Sequence, residues 1–295
     1  MRLSQMNMPS RFDPKTRRVW AILCLAVQKF LRIDGAQWAG AFAFNAFFSL
    51  FPLIVLFVTI TSAFIDLDRA GKEIIGYMER YVPIRGEMQS YIFDTIAGVV
   101  KARGQVGVVA FFILVWVALQ CFATLIGATN RAWDTMVYRW WRLPLKSLVL
   151  LGITAGAVVL GTAVTVMMRM AKSWLLTVSD VHSWVYALGS FLIPLLVVFL
   201  SLSLFYRLAP RRPTQFAQVW VAALCATVLL RAAESLFVVY LKNFATLNAV
   251  YGAFGGIMAL LLWIYLSGYI FIFGACLCAA QAEGRSEQAH SFTAA

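Results

Sequence analysis

Charge is scarce in this chain: Asp, Glu, Lys and Arg make up only 13% of its 295 residues, with 13 acids against 25 Lys and Arg. A soluble domain carries about a quarter of its residues charged, so this chain could not cover itself for water. Histidine is scarcer still. His182 stands beside Asp180 in a short connection and His290 in the tail, too isolated for a metal or acid–base cluster. Cys24, Cys121, Cys225, Cys276 and Cys278 fall in apolar stretches without the CxxC pairs of a zinc or redox site, so they read as small hydrophobes and no disulfide is expected. No Walker A loop, GxSxG elbow or HExxH helix is present. The expectation is a protein that is not an enzyme and uses no cofactor or metal.

What the chain has in abundance is apolar sequence: 62% of residues are hydrophobic and the mean hydropathy is +0.80. Continuous runs fill 38–64, 106–128, 147–169, 183–206, 219–241 and 253–280. Each exceeds the ~20 residues that cross a bilayer as a helix. None shows the alternation of a barrel strand. The fold class is therefore all-α, a polytopic membrane helical bundle of six transmembrane helices, with Pro52 and Pro194 as kinks. A basic segment, 1–37, precedes one membrane domain, 38–280, and a tail, 281–295, follows it.

The basic residues set the orientation. Arg2, Arg11, Lys15, Arg17, Arg18, Lys29 and Arg32 precede the first span; Arg131, Arg139, Arg142 and Lys146 follow the second; Arg207, Arg211 and Arg212 follow the fourth. The positive-inside rule puts these segments and both termini in the cytoplasm. The net charge of +12 reads as topology and attraction to anionic lipid, without nucleic acid as a partner. Residues 1–20 lack the apolar core of a cleavable signal peptide, leaving the first span as the insertion signal.

Residues 17–32 predict an interfacial helix, with Arg17, Arg18, Gln28, Lys29 and Arg32 in one arc and Val19, Leu23, Val27, Phe30 and Leu31 elsewhere, broken at Asp34 and Gly35. In the first external loop, Ile74, Ile75, Met78 and Val82, then Met88, Ile92, Ile96, Val99 and Val100, predict two amphipathic helices capping the outer face.

Polar and small residues line up on the spans. The first carries Asn45, Ser49, Pro52 and Thr59; the second Gln120, Thr124, Gly127 and Arg131; the last Gly252, Gly256, Trp263, Ser267 and Gly274. For the Gly and Ser positions, including Gly152 and Gly156, close helix packing is the preferred account. The fifth span is different, because Thr227, Arg231, Glu234 and Ser235 place two charges at mid-membrane. Three residues apart, Arg231 and Glu234 are expected to pair and to face the bundle interior. They serve either as a structural ion pair or as a site whose guanidinium takes an anionic headgroup. The candidate intramembrane polar site comprises Arg231, Glu234, Thr227, Ser235, Asn45, Ser49, Gln120 and Trp263. Membrane lipids are the expected partners, with an anionic lipid or other amphipathic anion as substrate; the oligomeric state is left open.

Four sets of residues, in this order, resemble the bacterial inner-membrane family called BrkB or YihY. They are Ala41–Phe44 leading to Ser49–Pro52; Asn130–Trp133; Tyr206–Pro210; and Tyr251–Phe254 with Leu262–Tyr265, Gly274 and Ala275. The resemblance covers nearly the whole chain and implies a six-span bundle. Asn45 stands where the family usually has an aromatic, and Cys276 where it commonly has Glu, so no role of that carboxylate carries over. The family has been labelled both a ribonuclease and a virulence factor. Ribonuclease chemistry needs a metal cluster or an acid–base pair that these residues do not supply. The reading carried forward is a transporter-like protein for a lipid or amphipathic anion, with a non-transporting component that organises the envelope or partner proteins as the alternative.

Overall fold

A computed structural model describes residues 14–64, 103–135, 142–175, 181–212, 214–244 and 248–293. They form α1 (Pro14–Arg32), α2 (Gly35–Phe64), α3 (Arg103–Ala132), α4 (Arg142–Leu175), α5 (Val181–Leu208), α6 (Phe216–Phe244) and α7 (Asn248–Thr293), with no strand among the described residues. Helix is the form that satisfies every backbone N–H and C=O within one segment, which hydrocarbon demands. The amphipathic helices expected in the first external loop lie outside the described residues.

Stretches long and apolar enough to cross a bilayer occur at Gly35–Leu56, Gly107–Ala132, Arg142–Gly161, Gln218–Leu241 and Gly255–Ser286. Leu192–Leu208 of α5, a helix of 28 residues, is a further apolar stretch. The all-α polytopic class holds.

Two helix ends are closed by aspartates in the left-handed region. Asp34 (φ 56°) ends α1, accepting from the N–H groups of Gln37 and Trp38 as α2 begins. Asp134 (φ 52°) ends α3: its N–H donates to Arg131 O at 3.1 Å and that of Thr135 to Asn130 O at 3.0 Å. This is a Schellman motif with Asp where Gly is usual.

The chain forms two compact units. The first holds α1, α2 up to Phe42, α3 from Phe122, α4, α5, α6 to Tyr240, and α7 from Tyr265. Its core is a seam of small side chains: Ala222, Ala223, Ala226 and Thr227 of α6, with Ala275, Cys276, Cys278 and Ala280 of α7, all at most 1% exposed. With apolar solvent on every side, such residues hold helices together by letting them approach closely. Of the glycines the spacing singled out, Gly127 and Gly274 do this, while Gly152, Gly156 and Gly256 do not. A Cβ at Gly152, Gly156 or Gly256 would meet open space, whereas one at Gly268 would strike Phe42 and one at Gly274 the Tyr206 hydroxyl.

In α1 the expected arc is also corrected. Lys29 is 5% exposed and lies on the packed seam with Ala26, Phe30 and Ile33, while Val27 and Leu31 face outward. Partners distant in sequence turn the helix this way, as described below.

The second unit contains α2 from Ala43, α3 up to Cys121, the end of α6 and α7 up to Ile264. Phe44, Phe47, Phe48 and Phe51 pack against one another along α2 in tilted and edge-on pairs, with ring centroids 4.5–6.2 Å apart. Pro52 sits inside the helix, where it has no N–H to donate to the turn below.

Candidate functional site

Near the middle of the Gln218–Leu241 stretch, Arg231 Nη1 donates to Glu234 Oε2 at 2.7 Å. Ser235 Oγ, one turn above Arg231, donates to its carbonyl at 3.1 Å. Thr227, one turn below, is fully buried and donates to Ala223 O at 2.7 Å. So the structure brings Arg231, Glu234 and Ser235 together and keeps Thr227 in the packed seam.

The pair does not point into a closed interior. The side chains of Arg231 and Glu234 are 35% and 51% exposed. Val219, Ala222, Ala223, Ala226, Thr227 and Ala233 define the packed face of α6, and at 100° per residue Glu234 falls within that arc. Tyr240, on the line of Ala222, is 39% exposed. The cover over this face therefore thins beyond Ala233, leaving the ion pair at the margin where packed seam gives way to open surface. Unpaired, either charge would cost about 2.5–3.5 kcal/mol at the centre of a spanning helix. Paired, they present a guanidinium with donors to spare beside a carboxylate.

Asn45, Ser49, Gln120 and Trp263 belong to the second unit. Ser49 Oγ is taken by Ala46 O at 2.6 Å; Asn45 and Trp263 are half-buried and Gln120 is exposed. A largely open groove in this unit is lined by other residues: Phe48, Phe51, Pro52 and Val55 of α2 and Val109, Ala110, Ile113 and Val117 of α3 border about 750 Å³. Every lining side chain is apolar, so this space suits a hydrocarbon chain and offers a charged group no partner.

A second polar constellation, in the first unit, was missed by sequence reasoning. Lys29 Nζ lies 3.0 Å from Asp134 Oδ2 and 3.1 Å from Glu283 Oε2, and donates to Ala132 O at 3.4 Å. Arg32 Nη2 reaches both oxygens of Asp134, at 2.7 and 2.9 Å. Burial alone would raise the pKa of Asp134, but the hydrogen bonds and charges of Lys29 and Arg32 outweigh it and hold the carboxyl below its usual range. The available signal was a lysine at the spacing of Ala26, Phe30 and Ile33.

Beside this cluster the motif residues clasp one another. Asn130, fully buried, donates through Nδ2 to Ile126 O (2.8 Å) and Ala209 O (3.4 Å), while its Oδ1 accepts from the N–H of Arg211 at 2.9 Å and from Thr135 Oγ1 at 3.0 Å. Tyr206 donates to Phe271 O at 2.8 Å across the face of Gly274. Arg131 stacks 5.1 Å above the Trp38 ring.

These are the segments that carry the resemblance, and comparison with known proteins agrees. Residues 26–294 match the family described as "Virulence factor BrkB". A UPF0761 membrane protein of Neisseria meningitidis serogroup C is 25% identical over 272 residues, covering 92% of this chain and 65% of that protein. One from Alteromonas mediterranea is 26% identical over 246 residues, 80% of this chain and 79% of the relative. Another from Idiomarina loihiensis is 29% identical over 212 residues, 70% and 71% respectively. The chain thus spans 65% of the length of its Neisseria relative. No solved structure matches. With its helices, its clasped motifs and the match over most of its length taken together, the chain belongs to the BrkB family of membrane proteins.

Proposed function

We propose that this protein is a non-enzymatic, multi-pass component of a bacterial inner membrane that binds a lipid or other amphipathic anion and moves it between leaflets. The observation that carries the reading is the Arg231–Glu234 pair, held at 2.7 Å at mid-span yet a third to a half exposed. A structural pair and a headgroup site both need their charges compensated, but only a headgroup site must also be reachable. The guanidinium fork suits a phosphate oxygen pair, and Glu234 holds that fork until a phosphate replaces it. The clasp around Asn130 favours a second reading, a static scaffold that organises the envelope, because it fixes helix ends without any opening.

Proteoliposomes containing phosphatidylglycerol labelled on its headgroup separate the two. With the wild-type protein, inner-leaflet label should become accessible to external dithionite, and Arg231→Gln/Glu234→Gln should abolish this while remaining folded. Equal rates with wild type, double variant and protein-free vesicles would leave the scaffold.

A further inference from the structure

The outward face of α1 is apolar where a cytoplasmic helix would be polar. Trp20, Val27 and Leu31 are 57%, 46% and 67% exposed, and they form one stripe along the helix. In the same helix Lys15, Arg17, Arg18, Lys29 and Arg32 stand without a single acid. Three residues after it ends, the first spanning stretch begins at Gly35, so its end is pinned at the membrane surface.

Contacts with α7 show which side of α1 faces the bilayer. Lys29 reaches Glu283, near the polar end of α7, whereas its neighbour Phe30 packs on Tyr269 and Phe273, with ring centroids at 4.5 and 6.2 Å. Glu283 and Tyr269 are separated by roughly 20 Å of helix at ~1.5 Å per residue. Lys29 thus points out of the membrane along α7 and Phe30 points into it. Trp20, Val27 and Leu31 all project from the side of α1 opposite Lys29, about 160–180° around at ~100° per residue. They project toward the acyl chains.

We infer that α1 is seated on the anionic phospholipid surface of the cytoplasmic leaflet, with Trp20, Val27 and Leu31 inserted and the exposed Arg17 among the phosphates. The occupant is lipid and not protein because the stripe faces the bilayer side set by Phe30 and the helix charge is of one sign. The inference stands apart from the transport reading, since it concerns neither Arg231 nor the apolar groove.

Nitroxide labels on single cysteines test it, in a Cys24→Ala/Cys225→Ala background whose buried Cys121, Cys276 and Cys278 are left in place. The full chain is placed in phosphatidylglycerol nanodiscs. Labels at Trp20, Val27 and Leu31 should collide with oxygen and be shielded from a water-soluble nickel chelate, at a depth of about 5–10 Å. A label at Gln28 should show the reverse. In phosphatidylcholine nanodiscs the stripe labels should move toward water. Nickel access at the stripe equal to that at Gln28, or protection from both reagents, would overturn lipid as the occupant. Equal depth in both lipids would overturn the anionic requirement.

Discussion

Lys29, with 6% of its side chain exposed, sits 3.0 Å from Asp134, a residue 105 positions away that keeps a backbone φ of 52° to receive it. Two demands meet at that aspartate. The Schellman turn would be least strained with Gly, and the buried ammonium needs a carboxylate. Substitutions should separate the demands. Asp134→Asn keeps tolerance of the left-handed region and loses the charge; Asp134→Ala loses both and should be less stable by about a further 1 kcal/mol. Thermal unfolding in detergent should rank wild type above Asn and Asn above Ala. Equal melting of Asn and Ala variants would show that the turn carries no strain.

Acid should release the same contact. A carboxylate whose folded pKa is lowered contributes stability that is complete above its unfolded value of about 3.9 and is lost as pH falls through the folded value. Asp134 is such a group, because Lys29 and Arg32 outweigh its burial. Melting temperature should therefore be insensitive to this residue between pH 7 and 5 and should fall below about pH 4. Asp134→Asn should flatten that acid limb, and an unchanged limb would assign the loss to other carboxylates.

How legible these features were in the sequence follows from the range of the interactions involved. The spans were legible because hydrocarbon demands continuous apolar helix, a local property. The Arg231–Glu234 pair was legible because its partners are one turn apart; its exposure was not, since that depends on which helices cover α6. Lys29 looked like part of a polar arc until Asp134 and Glu283, far along the chain, turned it inward. Gly152 and Gly268 are alike in sequence, and only the nearness of Phe42 makes the second a contact point. The resemblance motifs were visible as a series, while their reason, Asn130 gripping Ala209 and Arg211, was not.

Close approach at Gly274 gives a prediction about coupling. A Cβ there would run into the Tyr206 hydroxyl and come within 3.1 Å of Ala226 Cβ. Gly274→Ala should destabilise by about 1–3 kcal/mol through overpacking. Tyr206→Phe removes the offending oxygen along with its bond to Phe271 O, so the double variant should lose less than the sum of the single losses. Strictly additive losses would place the strain at Ala226 instead.

Arg231 and Glu234 supply the test that divides structure from function. Arg231→Ala leaves a mid-span carboxylate and Glu234→Ala a mid-span guanidinium, each costing about 2.5–3.5 kcal/mol unless it is neutralised or rehydrated. If the 2.7 Å contact is energetic as well as geometric, the double alanine variant should be more stable than at least one single variant, and a double-mutant cycle should show coupling. Additive losses would mean that each charge is solvated separately, which their partial exposure permits. Ligand retention supplies the second axis. Native mass spectrometry of protein extracted with its lipids should show a bound anionic phospholipid on the wild type, on Arg231→Lys weakly and on the double variant not at all, because only guanidinium offers the paired donors. Lys matching Arg in retention would reduce the site to a point charge. A stable, coupled pair with unchanged lipid retention in every variant would make it a strut between two turns of α6 and move the search for a headgroup site elsewhere in the molecule.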